Sequence, residues 1–165
     1  MASLPFHKLT LRAFAHQTEF LTVVREAVLF LASPHAALSE NLKETTTEGY
    51  HGNRITVLEL EVSRQCKIRD FFQRVIEANG PERMLLELDE RMDDDCQLHM
   101  RFDKDRVVMG MKMAEKGDPE GMNMAYRLSR GENVIKAVLK VRAYPARKSA
   151  AVETLKTLIK DIGGS

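Results

Sequence analysis

Polar and apolar residues alternate with a period of two in four stretches of the chain and recur every three or four residues in four others. The clearest alternation runs from Arg54 to Val62, with Thr56, Leu58, Leu60 and Val62 on one side and Ile55, Val57, Glu59 and Glu61 on the other. That pattern predicts a half-buried strand. Before it, Glu48-Gly49-Tyr50-His51-Gly52-Asn53 supplies two glycines and an asparagine, residues that tolerate positive φ in a hairpin turn. Leu42 to Glu48 extends into the partner strand. The turn carries His51, Asn53 and Arg54 on exposed backbone, which makes it the best loop in the chain for a functional contact.

Three further alternations predict strands. Phe6 to Ala13 sets Leu9, Leu11 and Ala13 against Lys8, Thr10 and Arg12. Gln97 to Asp103 sets Leu98, Met100 and Phe102 against Gln97, His99 and Arg101, after the polar turn Asp93-Asp94-Asp95. Asn133 to Tyr144 places Ile135, Ala137, Leu139 and Val141 on one face before Pro145 ends it.

The helical period marks four segments. Thr18 caps the first, with Phe20, Val23, Val24, Ala27, Val28 and Leu31 as its apolar stripe and Ser33-Pro34 as its end. Ser63 caps the second, which buries Ile68, Phe71, Phe72, Val75 and Ile76 and stops at Asn79-Gly80-Pro81. Pro81 opens the third, with Met84, Leu85, Leu88 and Met92 apolar. Ser149 to Ile162 closes the chain on Val152, Leu155, Leu158 and Ile159. Arg106 to Ala114 fits a short helical turn followed by a strand over Met111 to Ala114, and Lys116 to Asn123 reads as a long loop.

Strands linked as hairpins, with helices inserted in blocks, predict an α+β fold over residues 1–165 as one domain. Its core is a single antiparallel sheet with helices packed on one face, which leaves the other face to solvent.

Composition adds charge distribution to this picture. The net charge of +1 singles out no class of partner. Yet residues 82–105 hold nine acids against four bases, whereas residues 106–165 hold twelve bases against six acids. Cys66 and Cys96 lie thirty residues apart without CxxC spacing, so they read as free core thiols. No apolar run approaches the ~20 residues of a spanning helix. MASLPFHK has no apolar signal core, so the expected location is cytoplasmic.

On the expected open face the strands contribute Lys8 and Arg12, then His99 and Arg101, then Lys136, Lys140 and Arg142. Together they form a basic surface suited to phosphates, interrupted by Glu59 and Glu61. A solvated antiparallel face is polar in any case. The aromatic candidates for base stacking are Phe14, Tyr50, Tyr126 and Tyr144, and none lies in an RNA-recognition-motif pattern. Backbone contact with a structured nucleic acid is therefore expected over stacking on single strands. Catalytic signals are weaker. The five histidines show no HxxxH or HExxH spacing, and Asp93-Asp94-Asp95 lacks EF-hand spacing. Asp103 and Asp105 around Lys104 could support metal-assisted phosphodiester chemistry, but no companion acid motif accompanies them. No motif calls for a cofactor.

HKLTLRAFAHQTE near the start, EGYHGNRITVLELEV in the hairpin and QLHMRFDKDRVVMG after the acidic turn resemble an archaeal family of small, exosome-associated RNA-binding proteins. The resemblance spans most of residues 7 to 144. It implies RNA binding without an assigned catalytic residue, and a fold similar to the large-subunit ribosomal protein that binds five-S RNA. It touches Arg12, His16, His51, Gly52, Asn53, Arg54, Arg101, Phe102, Asp103 and Lys104, with Arg54 standing where the family has proline after HGN. The expected RNA contacts are Lys8, Arg12, Arg101, Lys104, Lys136, Lys140 and Arg142 for phosphates, with His51, Asn53 and Arg54 for a sugar or base. Expected partners are RNA and exosome or ribosomal proteins. The alternative is a protein-interaction subunit docking through Glu87 to Asp95 and the Lys116 to Asn123 loop. A homodimer through the open face would cover the proposed contacts.

Overall fold

The computed structural model describes residues 4–34, 41–48 and 52–163. Its strands are β1 (Phe6–His16), β2 (Leu42–Glu48), β3 (Arg54–Val62), β4 (Gln97–Asp103) and β5 (Val134–Val141), and they form one antiparallel sheet in the order β2-β3-β1-β5-β4. The expected α+β architecture is what the chain adopts. Leu9, Leu11 and Ala13 of β1, Leu58 and Leu60 of β3, Leu98, Met100 and Phe102 of β4, and Ile135, Ala137 and Leu139 of β5 are buried on one side. Their neighbours point the other way, as the two-residue period requires.

Helices cover the apolar side: α1 (Leu21–Ala32), α2 (Gln65–Asn79), α3 (Pro81–Arg91), α4 (Lys104–Glu115), α5 (Glu120–Ala125) and α6 (Lys148–Gly163). Beneath them Phe71, Phe102 and Tyr126 meet edge to face at 5.8, 5.9 and 6.4 Å between ring centroids. The Tyr126 hydroxyl donates to the Leu31 carbonyl at 2.7 Å, which serves an orphan acceptor of the last turn of α1. Burial pushes the Tyr126 phenol well above its ordinary pKa, so it stays a donor.

Four local readings are corrected. Arg106 to Ala114 is not a turn and strand but the body of α4, whose buried residues Val107, Gly110 and Met111 recur at helical spacing. The stretch read as a long loop contains α5. Gly110 and Gly121 let these two helices touch: a Cβ on Gly110 would stand 2.4 Å from the Gly121 carbonyl oxygen, and the converse distance is also 2.4 Å. After α5, Asn79 ties the chain down, donating to the Tyr126 carbonyl at 2.9 Å and accepting from the Leu128 N–H at 3.0 Å. Leu128 then bridges Phe102, and Ser129 N–H donates to the Arg101 carbonyl at 2.8 Å, which covers part of the free edge of β4.

The third correction concerns caps. Neither Thr18 nor Ser63 caps a helix; α1 and α2 start after Phe20 and Arg64, without a side-chain capping bond. Glu19 instead accepts the His16 N–H at 3.1 Å, so β1 runs three residues further than its first alternation and turns sharply into α1. Cys96 is buried as expected, but Cys66 is exposed on α2; both thiols are free. Among the described residues no helix is long and apolar enough to cross a membrane.

Candidate nucleic-acid interface

The strand register fixes which side chains share the open face. Arg12 of β1 lies opposite Lys136 of β5, and Lys136 lies opposite Arg101 of β4. Two rows away, beyond Thr10, Val138 and His99, Lys8 lies opposite Lys140, which faces Gln97. Directly opposed side chains on one face sit about 5 Å apart at Cβ. The cations therefore occupy three adjacent strands as two rows, and Arg142 follows one step beyond β5. Among the described residues none of Lys8, Arg12, Arg101, Lys136, Lys140 and Arg142 forms an ion pair.

The sheet order also segregates the acids. Glu59 and Glu61 are both on β3, on the far side of β1 from β5, so they border the basic rows rather than interrupt them. Arg12 faces Glu59 across β1 and β3, but its guanidinium lies over the Phe14 ring, 5.3 Å from the centroid. Phe14 is partly exposed on the open face, a position revealed only when the alternation of β1 is followed to His16. Tyr126 is in the core and Tyr144 lies wholly in solvent. Tyr50 and His51 fall outside the described residues.

His99 stands beside these rows but is engaged: its Nε2 lies 2.8 Å from Asp93 Oδ2. Burial opposes ionisation of Asp93, yet hydrogen bonds from His99 and from the N–H groups of Gln97 and Asp95 hold its carboxyl below the ordinary range.

Lys104 does not belong with the surface cations. Its side chain is 3% exposed, and Nζ donates to the Phe14 carbonyl and to Glu19 at 3.1 Å. Burial raises the Glu19 pKa, but the His16 N–H and the Lys104 ammonium overcome it and leave the carboxyl lower than usual. The pair fastens the end of β1 to the start of α4. Asp103 has a local duty too, accepting the Arg106 N–H at 3.0 Å as the cap of α4, while Asp105 lies 3.5 Å from Asn133 Nδ2. Among the described residues no three His, Cys, Asp or Glu side chains converge as a metal site.

Of the hairpin turn, Gly52 has φ of 75°, and Asn53 and Arg54 are exposed. The Arg54 N–H donates to Gln17 Oε1 at 3.1 Å, which anchors the turn to the β1–α1 connection. In the acidic segment, Glu87 pairs with Arg83, Arg91 and Arg130. Much of that acidity is neutralised within the protein.

Comparison with known proteins agrees with this architecture. An RNA-binding protein of Pyrococcus abyssi is 29% identical over 154 residues, 91% of either chain. A DUF54 protein of Methanothermobacter thermautotrophicus has the same fold with a TM-score of 0.71 and 29% identity, covering 94% of this chain and 98% of its own. A UPF0201 protein of Methanococcus jannaschii, 13% identical with a TM-score of 0.54 over 96% and 93% of the two chains, shares the fold alone. Residues 8–141 match the family described as RNA binding, and the chain belongs to that family.

Proposed function

We propose that this chain binds structured RNA, without acting on it chemically, by laying the phosphate backbone across the open face of the sheet. The observation that carries the reading is the register of its cations. Lys8 opposite Lys140, and Arg12 opposite Lys136 opposite Arg101, are like-charge neighbours without ion-pair partners among the described residues. Like charges directly opposed across strands cost stability. A polyanion on that face turns the cost into attraction and releases counterions as it docks. The family's RNA binding supplies the polyanion. Arg142 extends the rows, and Lys104 is left out because its ammonium is already held inside the protein.

In this reading the His51-Asn53-Arg54 turn makes a local sugar or base contact, and the RNA belongs to an exosome or ribosomal setting, as the family resemblance implies. Backbone contacts set affinity and position, and the turn adds discrimination.

Fluorescence anisotropy with a stem-loop RNA, a single-stranded RNA and a duplex DNA, across a salt series with magnesium present, tests it. The expected result is tight, salt-sensitive binding that prefers the stem-loop. No binding near physiological salt refutes the reading and leaves a protein-interaction subunit in its place.

A further inference from the structure

Where β5 runs out, a cleft of about 810 Å³ opens between the end of that strand, the start of β1 and the Asp93 turn. His7, Asp94, Asp95, Lys140, Arg142 and Tyr144 line it. Tyr144 is 101% exposed, an aromatic ring with no packing partner at the mouth of a cavity. Asp94 and Asp95 provide acceptors, and Lys140 and Arg142 provide cations. Among the described residues none of these four charged groups is ion-paired, with one another or with anything else.

The walls are held by backbone. Asp93 Oδ1 accepts the N–H groups of Asp95 and Gln97, each at 2.9 Å, and Cys96 takes φ of 62° to complete the turn. Opposite, the Arg142 N–H donates to the Pro5 carbonyl at 2.7 Å. A register shift between Phe6 and Lys8 lets His7 reach solvent on this side. The cleft thus exists before a ligand arrives, with the carboxylates on the Asp93 turn and the cations and the tyrosine on the end of β5 and the residues that follow it.

We infer that this cleft seats one unpaired nucleotide whose base carries an exocyclic amine, beside the structured RNA on the open face. Such a nucleotide has three chemically distinct parts, and each has a counterpart here. The base plane stacks on Tyr144, its amino group donates to Asp94 or Asp95, and its phosphate lies against Lys140 and Arg142. Uracil lacks the amine and is the disfavoured base. The inference rests on the open-face reading, because Lys140 is shared between the two.

The test compares a blunt RNA duplex with the same duplex carrying a short adenine or uracil overhang. Wild-type protein is expected to bind the adenine overhang about tenfold more tightly than the blunt duplex, the effect of one stacked base. Tyr144→Ala removes that increment and leaves blunt-duplex affinity and thermal stability unchanged, since the ring packs on nothing. Asp94→Ala with Asp95→Ala removes the acceptors and narrows the difference between adenine and uracil overhangs, whereas asparagine would still accept from the amine. The chain has no tryptophan, so Tyr144→Trp gives one tryptophan, selectively excited, that the overhang, and not the blunt duplex, should quench. If the overhang adds nothing, or Tyr144→Ala keeps the increment, while the blunt duplex still binds, the cleft is overturned alone. If wild-type protein fails to bind the blunt duplex, the open-face reading falls and the cleft falls with it.

Discussion

Replacing Arg101 and Lys136 together by glutamine is the sharpest probe of the open face. The two residues are exposed and directly opposed on β4 and β5, without ion-pair partners among the described residues. Arg12 is best left in place because its guanidinium covers Phe14. If each of Lys8, Arg12, Arg101, Lys136, Lys140 and Arg142 meets one phosphate, the logarithm of affinity falls with the logarithm of salt at a slope of about −5.4. Removing two contacts brings the slope to about −3.6. Between roughly 50 and 200 mM salt the wild-type protein then loses about 2,000-fold in affinity, and the double variant about 150-fold. Anisotropy titrations of a stem-loop RNA over that range read both slopes. The free variant should be as stable as wild type or slightly more so, because relief of like-charge opposition contributes a few tenths of a kcal/mol, at most ~1 per pair. An unchanged slope in a variant with an unchanged melting temperature refutes the open face as the binding surface.

The other predictions concern the scaffold that holds this face. Lys104→Ala removes the buried ammonium from the Phe14 carbonyl and Glu19 and should cost about 3 kcal/mol, lowering Tm by roughly 6–12 °C. The same pair predicts acid sensitivity. The folded Glu19 carboxyl titrates below its ordinary value, so the unfolded chain binds more protons between the two, and this stability is complete above about pH 5 and lost as pH falls through the folded pKa. Urea unfolding at about pH 6, 4 and 3 should show the decline in wild type and a flatter profile in Lys104→Ala. Gly110→Ala drives a methyl into the Gly121 carbonyl and should lose about 2–3 kcal/mol, read by thermal melting; a Tm within a degree of wild type would show that α4 and α5 do not pack this closely. Tyr126→Phe leaves the Leu31 carbonyl without its donor and should cost about 1–2 kcal/mol, read as a lower urea midpoint at constant m-value.

How much of this could be read from the sequence depended on whether the deciding interaction was local. Strand alternation in Arg54 to Val62 and in Gln97 to Asp103 depends only on which face meets the core, and the strands fall where the pattern sets them. Val107, Met109, Met111 and Met113 also alternate, yet they lie in α4, because the glycine contact between Gly110 and Gly121 rewards helical packing and leaves Met109 more than half exposed. Lys104 looked like its neighbour Arg101. The chain turns from strand to helix at that point and carries Lys104 inward toward Glu19, a partner 85 residues away in sequence. The basic face itself was legible residue by residue. Its continuity was not, since Glu59 and Glu61 are set aside by a strand order that no local pattern encodes. Tyr144 is legible as an exposed aromatic, but the predicted strand Asn133 to Tyr144 overruns: β5 ends at Val141 and leaves Tyr144 beyond the sheet.

With Glu59 and Glu61 on β3 beside the cations of β1, β5 and β4, and Lys43 of β2 beyond Glu59, the charge of the face varies along the strand order as well as giving a net attraction. An approaching polyanion therefore feels a torque, drawn toward β1, β5 and β4 and pushed away from β3. If RNA docks on the open face as proposed, many encounter poses would be turned toward one before any base is read. Screening by salt weakens that alignment along with the attraction. High ionic strength should then broaden the range of bound orientations while it lowers occupancy, so a donor–acceptor distance measured between labelled RNA and β3 would spread as salt rises, even among the complexes that persist.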